Sequence, residues 1–124
     1  VGFPRKYSIR TSSEIKRVIE NGIRFEAGTL KIHLLQIHSM APNRTAISVP
    51  RYGRTVVARN RLKRRLQELV RLYPIQSRGC LTVVRISPAC YENNFQDLEK
   101  RYCSVVEKIN LELAGSRATA SQAN

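Results

Sequence analysis

The sequence predicts a mixed α/β layer, an α+β sandwich that runs helix–strands–helix–strand–helix around one small sheet. Three observations carry this. In Arg59–Leu72 (RNRLKRRLQELVRL), Leu62, Leu66, Leu69 and Val70 recur at helical spacing and form one apolar stripe. Cys80–Ile86 (CLTVVRI) is a β-branched run bounded by Gly79 and Pro88, which reads as a strand. Leu98, Tyr102, Val105, Val106, Ile109 and Leu113 form a second helical stripe near the C-terminus. A length of 124 residues fits one domain. Its expected bounds are 1–114, with the small polar residues 115–124 as a disordered tail.

The elements follow in order. Residues 3–10 form an arm in which Arg5, Lys6 and Arg10 stand among Phe3, Pro4 and Tyr7. It can wrap an anion or pin its two rings on the core, and the residues alone leave both open. Ser12 or Ser13 can cap a helix over 13–21, with Ile15, Val18 and Ile19 as its stripe and Asn21-Gly22 as its stop. A strand is expected over Thr29–Ile37, with Leu30, Ile32 and Leu34 facing one way and Lys31, His33 and Leu35 the other. Ala41-Pro42-Asn43 reads as a turn, and Arg44–Arg51 as the next strand, with Pro50 at its end. Tyr52–Ala58 connects to the basic helix, which ends near Tyr73 because Pro74 disfavours helical geometry before it. The strand over 80–86 follows, and Asn94 caps the last helix, with Asp97 placed to complete the cap. The strands on either side of the basic helix make a βαβ unit whose handedness composition does not fix.

Charge narrows the function. Lys and Arg number 22 against 9 Asp and Glu, a formal charge of +13. Such a balance favours RNA, DNA or an anionic membrane as partner. No apolar run reaches the roughly 18–20 residues that a spanning helix needs, so no membrane is expected. The charged opening, VGFPRKYSIR, has no apolar core and predicts no signal peptide, which points to the cytoplasm. DNA is not expected either, since the basic helix lies between two strands and not in a helix-turn-helix.

Within Arg59–Leu72, six cations face one acid, Glu68. Like charges packed this densely repel one another by a few tenths of a kcal/mol per pair. A polyanion lying on the face removes that cost; the bland alternative is a solvated basic surface. Arg61 and Arg64 fall opposite the stripe, while Lys63 and Arg65 flank it. Arginine's planar fork grips two phosphate oxygens at once. Asn60, between Arg59 and Arg61, adds a neutral donor and acceptor at what reads as the helix N-terminus, where free backbone N–H groups also favour an anion.

Catalytic constellations are scarce. There is no phosphate-binding glycine loop and no acidic cluster of the kind that holds Mg²⁺ in a protein nuclease. Glu92, Asp97 and Glu99 read as caps and solvated positions. His33 beside Lys31 has the chemistry of a general base, but a lone strand histidine is more often a packed residue. Cys80, Cys90 and Cys103 are too scattered for a zinc site and read as free thiols. The chain reads as a binder.

The stretch ARNRLKRRLQE resembles the signature of the bacterial ribonuclease P protein subunit: an Arg-Asn-Arg triplet, an apolar residue, then Lys-Arg. FPRKYSIRTSSEIKRVIENG is similar to that family's opening arm and first helix. ISVPRYGRTVV is similar to its third strand and connection, although the family usually has Ser or Ala where Pro50 stands. GCLTVVRISP and NNFQDLEKRY resemble the last strand and helix, so the likeness covers about 3–113. It implies an α–β sandwich with a left-handed βαβ crossover, against the right-handed norm. It also implies as partner a catalytic RNA that, with Mg²⁺ bound mainly by that RNA, removes the 5′ leader of precursor tRNA. Carried over by position, Arg59, Asn60, Arg61, Lys63, Arg64 and Arg65 face the catalytic RNA, and no residue of this chain is catalytic. The family's leader-binding cleft maps to Ile15, Ile19, Lys31, His33 and Arg10. Aromatics commonly line that cleft, and two isoleucines cannot stack a base as a ring does. The rival readings are a plain RNA-binding or ribosome-associated protein with the same fold, and a stand-alone protein nuclease.

Overall fold

A computed structural model describes residue 9 and residues 11–37, 42–76 and 79–123, with side chains described as far as 113. The predicted fold class holds. Helix α1 (Ser12–Asn21) leads into β1 (Ile23–Ala27), β2 (Leu30–Gln36) and β3 (Arg44–Ser48). Helix α2 (Val56–Leu72), β4 (Cys80–Ile86), a 3₁₀ turn over Pro88–Glu92 and α3 (Phe95–Ala123) complete the order. The four strands form one sheet in the order β1-β2-β4-β3. β2 pairs antiparallel with β1 and β4, while β3 pairs parallel with β4, so β3–α2–β4 is the expected βαβ unit.

The sheet has two differently covered faces. Leu30, Ile32 and Leu34 of β2 and Cys80, Val84 and Ile86 of β4 join Leu62, Leu66 and Leu69 of α2 in the main core. The buried stripe of α3 from Leu98 to Leu113 closes that core. On the other face, Val18 of α1 packs with Ile9, Ala46, Leu81 and Val83, flanked by the half-buried Ile15, Ile19 and Leu35. Helices therefore cover both faces, which explains why β4 is apolar at nearly every position and does not alternate. Its one exposed residue, Arg85, marks where the cover of α1 stops.

Several boundaries differ from expectation. β1 is the further strand before the basic helix for which the sequence marked no range: it is a five-residue edge strand, and a two-residue turn joins it to β2. Gly28 in that turn has φ +58°, and a Cβ there would collide with the Arg101 guanidinium of α3. Thr11, not Ser12 or Ser13, caps α1: its Oγ1 accepts from the Glu14 N–H at 3.3 Å and donates to Glu14 Oε1 at 3.0 Å. β3 ends at Ser48, before Val49 and Pro50. α2 starts earlier than the stripe implies, at Val56, with Thr55 Oγ1 accepting from the Ala58 N–H at 3.1 Å. Asn94 caps α3 as expected, accepting from the Asp97 N–H at 2.8 Å.

The last helix runs on through Gly115 to Ala123. A single glycine costs a helix only about 1 kcal/mol, and the alanine-rich stretch after it contains no proline. The arm over 3–8 and Arg10 lie outside the described residues.

Candidate nucleic-acid interface

Two basic surfaces lie on opposite sides of the sheet. The first is the outer side of α2. Asn60, Arg61, Arg64 and Arg65, with Val57, line a shallow concavity of about 440 Å³. Asn60, Arg61 and Arg64 are exposed; Arg65 is half-buried, its stem lying along the edge of the stripe. Neither Arg61 nor Arg64 has a hydrogen bond or ion pair among the described residues, so both guanidinium forks are available to a partner. This groups four of the six residues that the sequence nominated on α2.

The other two sit differently. Arg59 donates from Nε to the Val49 carbonyl at 3.0 Å and from Nη1 to Asn60 Oδ1 at 3.4 Å. It therefore ties the start of α2 to the end of β3, and its guanidinium is partly committed to the scaffold. Lys63 is half-buried and does not line the concavity. Because α2 begins at Val56, the triplet Arg59-Asn60-Arg61 lies in the second turn and not at the N-terminus. The Arg59 N–H already bonds the Thr55 carbonyl at 3.0 Å, so the backbone-dipole argument does not reach the triplet.

The approach to α2 is rigidly built. Tyr52 (φ +48°) and Gly53 (φ +82°) turn the chain with left-handed φ at both positions, closed by the Arg54 N–H on the Arg51 carbonyl at 2.8 Å. A left-handed tyrosine is costly, and its hydroxyl offsets that by donating to the Ile86 carbonyl at 3.0 Å. Val56 and Val57 are left 51% and 68% exposed beside Asn60 and Arg61, an apolar shoulder that the sequence reading missed. The available signal was Val-Val falling off the Leu62–Leu66–Leu69 stripe.

The second surface is the cleft between α1 and the sheet. Cross-strand register sorts this face into rows. Leu35, Leu81 and Arg44 form one, Arg24, His33, Val83 and Ala46 the next, and Glu26, Lys31, Arg85 and Ser48 the third. α1 covers the first two rows except Arg24, which is exposed and pairs with Glu26 at 3.2 Å, and leaves the third open. Arg44 is drawn to α1 by Glu14, at 3.0 Å between Nη1 and Oε2, which fixes one side of the cleft. Ile15 and Ile19 pack against the sheet side of α1, so they shape the cleft and offer no ring to it.

His33 lies at the inner edge of the open row. It is only 4% exposed, and neither ring nitrogen has a hydrogen-bond partner. Burial holds its pKa below the ordinary value, and the Arg85, Arg24 and Lys31 charges push it the same way against a weaker pull from Glu26. The ring is therefore neutral near pH 7, with one nitrogen a donor and the other an acceptor. Arg24 and Arg85 were not nominated from the sequence. Strand parity could have found Arg85, the one charge in an apolar strand; Arg24 needed the range of β1, which the sequence did not mark.

Among the described residues, no group of three or more His, Cys, Asp or Glu side chains is placed to hold a metal ion. No described helix is long and apolar enough to cross a membrane. Cys80 and Cys90 are buried free thiols and Cys103 is a half-buried one.

Known proteins share the fold and the sequence pattern of this chain. The sequence model of the family described as Ribonuclease P matches residues 3–110. The ribonuclease P protein component of Syntrophomonas wolfei is 31% identical over 108 residues, covering 86% of this chain and 90% of its own length. That of Roseiflexus castenholzii is 37% identical over 103 residues, covering 77% and 79%. Among solved structures, the RNase P protein of Staphylococcus aureus superposes with a TM-score of 0.74 at 16% identity, covering 82% of this chain and 93% of its own. The RNase P protein of Thermotoga maritima does so with a TM-score of 0.68 at 20% identity, covering 82% and 96%. With a family match over most of its length and relatives above the level at which chance similarity matters, the chain belongs to the ribonuclease P protein family.

Proposed function

We propose that the outer face of α2 binds the RNA of ribonuclease P and that the cleft between α1 and the sheet receives the 5′ leader of precursor tRNA. As a ribonuclease P protein component, the chain assists the ribonuclease P RNA in maturing the 5′ end of precursor tRNA. The observation that carries the division of labour is the pair of surfaces itself. One is a shallow, open helix face with two unengaged arginines, suited to a folded RNA backbone. The other is a narrow basic row beside a neutral, unpartnered histidine, suited to a single strand.

In this reading Arg61, Arg64 and Arg65 grip phosphates, and Asn60 adds a neutral contact. Arg59 holds the helix at the angle that presents them, and Lys63 adds charge from the flank. In the cleft, Lys31 and Arg85 hold leader phosphates, while His33, buried behind them, shapes the wall of the cleft. The missing aromatics make this grip one of charge and shape, with little stacking. Mg²⁺ for the cleavage step is assigned to the RNA, and this chain contributes fixed positive charge near crowded phosphates. Cytoplasmic action alongside tRNA synthesis completes the reading, with no role for DNA or a membrane.

The test compares ligands with and without a leader. Lys31→Ala with Arg85→Ala should weaken binding of precursor tRNA to the reconstituted holoenzyme while leaving mature tRNA binding nearly unchanged. An equal loss for both ligands would place the open row outside the leader path.

A further inference from the structure

On the opposite side of the sheet from the leader cleft, the C-terminal end of α2 roofs a cavity of about 210 Å³. Its floor is the paired residues Thr45 of β3 and Thr82 of β4. Thr82 is 2% exposed, and its Oγ1 is buried without a hydrogen-bond partner. Leaving a buried hydroxyl unpaired is unfavourable, so the cavity has an unmet demand for a polar group. Two rings line the space, Tyr73 and Tyr102. The walls are braced. Tyr73 donates to Glu99 Oε2 at 3.1 Å, and Asn43 bridges the Ile75 carbonyl at 3.1 Å and the Cys80 N–H at 3.0 Å.

Size and chemistry restrict the occupant. A cavity of roughly 150 Å³ takes a benzene ring, so this one has room for a substituted six-membered ring. Two tyrosine rings favour a planar guest, and the Thr82 hydroxyl asks for one with a hydrogen-bonding edge. Water alone could meet the hydroxyl but gains nothing from the rings. Position narrows the choice further. Arg71, paired with Glu68, lines the cavity and falls on the same side of α2 as Asn60 and Arg64, about two turns beyond Arg64. A polynucleotide running along that side reaches the cavity mouth with a cation already there for its phosphate.

We infer that this cavity, between the end of α2 and the β3–β4 floor, takes one unstacked base of the RNA that lies on α2. The inference rests on the reading of α2 as an RNA-binding face, and it adds an anchor that is not electrostatic. The base enters edge first toward Thr82 between Tyr73 and Tyr102, and its phosphate stays outside near Arg71.

The experiment titrates the full chain with cytidine, which carries no phosphate, and separately with inorganic phosphate, following backbone and methyl resonances. Cytidine should shift Thr82, Val70 and Ile75 saturably, and phosphate should not. Thr82→Val, which removes the hydroxyl at nearly constant volume, should abolish the cytidine shifts while leaving the melting temperature equal or higher. Val70→Phe, which fills the cavity, should lower affinity for the ribonuclease P RNA roughly tenfold, the scale of one lost base–aromatic contact, with an unchanged salt slope. Absence of cytidine shifts at those residues, or a Thr82→Val variant that melts lower and binds RNA as before, means the cavity holds only structural water and overturns the inference. If the unaltered protein fails to bind the RNA at all, it is the reading of α2 that falls, since the cytidine titration does not depend on it.

Discussion

Replacing Arg61 and Arg64 together with Ala removes two unengaged cations from the centre of the α2 concavity. Neither guanidinium is tied to the scaffold, Ala is the best helix former, and substitutions at exposed positions usually stay within about 0.5 kcal/mol of the parent. The fold should therefore be unchanged. RNA binding should not be. Each phosphate contact releases counterions and contributes roughly 0.7–0.9 to the slope of log K against log salt. If each arginine holds one phosphate, the slope should flatten by roughly 1.4–1.8. The assay is salt-titrated binding of the ribonuclease P RNA beside thermal melting of the free protein. An unchanged slope with an unchanged melt would mean that this face is merely solvated, and the assignment of α2 to RNA would fail. Arg59→Ala makes a useful contrast because Arg59 is bonded to Val49. It should lower the melting temperature as well as the affinity.

Two further outcomes follow from the core and from the cleft. Leu66 is fully buried between α2 and the sheet, so Leu66→Ala should cost about 2–5 kcal/mol in denaturant unfolding while leaving the salt slope of the folded protein alone. His33 has a folded-state pKa below its ordinary value of 6.5, so the unfolded chain takes up the proton first. Its contribution to stability is complete above about pH 6.5 and is lost as the pH falls through the lower folded value. His33→Phe should therefore lose less melting temperature than the parent between pH 7.5 and pH 5. Parallel decline in the two proteins would show that His33 does not carry this pH dependence.

Most of the fold was legible because its helical stripes are clean and β4 is bounded by Gly79 and Pro88. β1 was not, because five residues beside the Asn21-Gly22 stop look like a loop. The start of α2 was hidden for a related reason: Val56 and Val57 belong to the helix but not to its buried stripe. At the interface, the pattern identified the cationic helix but not the separate duties of its residues. Arg59 and Arg61 are equivalent in the sequence. Only the proximity of the Val49 carbonyl distinguishes a brace from a contact. The open row in the cleft depends on register across three strands, so Arg85 beside Lys31 is a long-range fact that no local spacing encodes.

The most direct test of the central claim is cleavage of precursor tRNA by this protein with and without a bacterial ribonuclease P RNA, across a Mg²⁺ titration. Nuclease-free protein alone should give no cleavage at any Mg²⁺ concentration. Added to the RNA, the protein should shift cleavage to lower Mg²⁺, and Arg61→Ala/Arg64→Ala should move the requirement back up. Robust cleavage without RNA, or a Mg²⁺ requirement that the protein leaves unchanged, would contradict that claim.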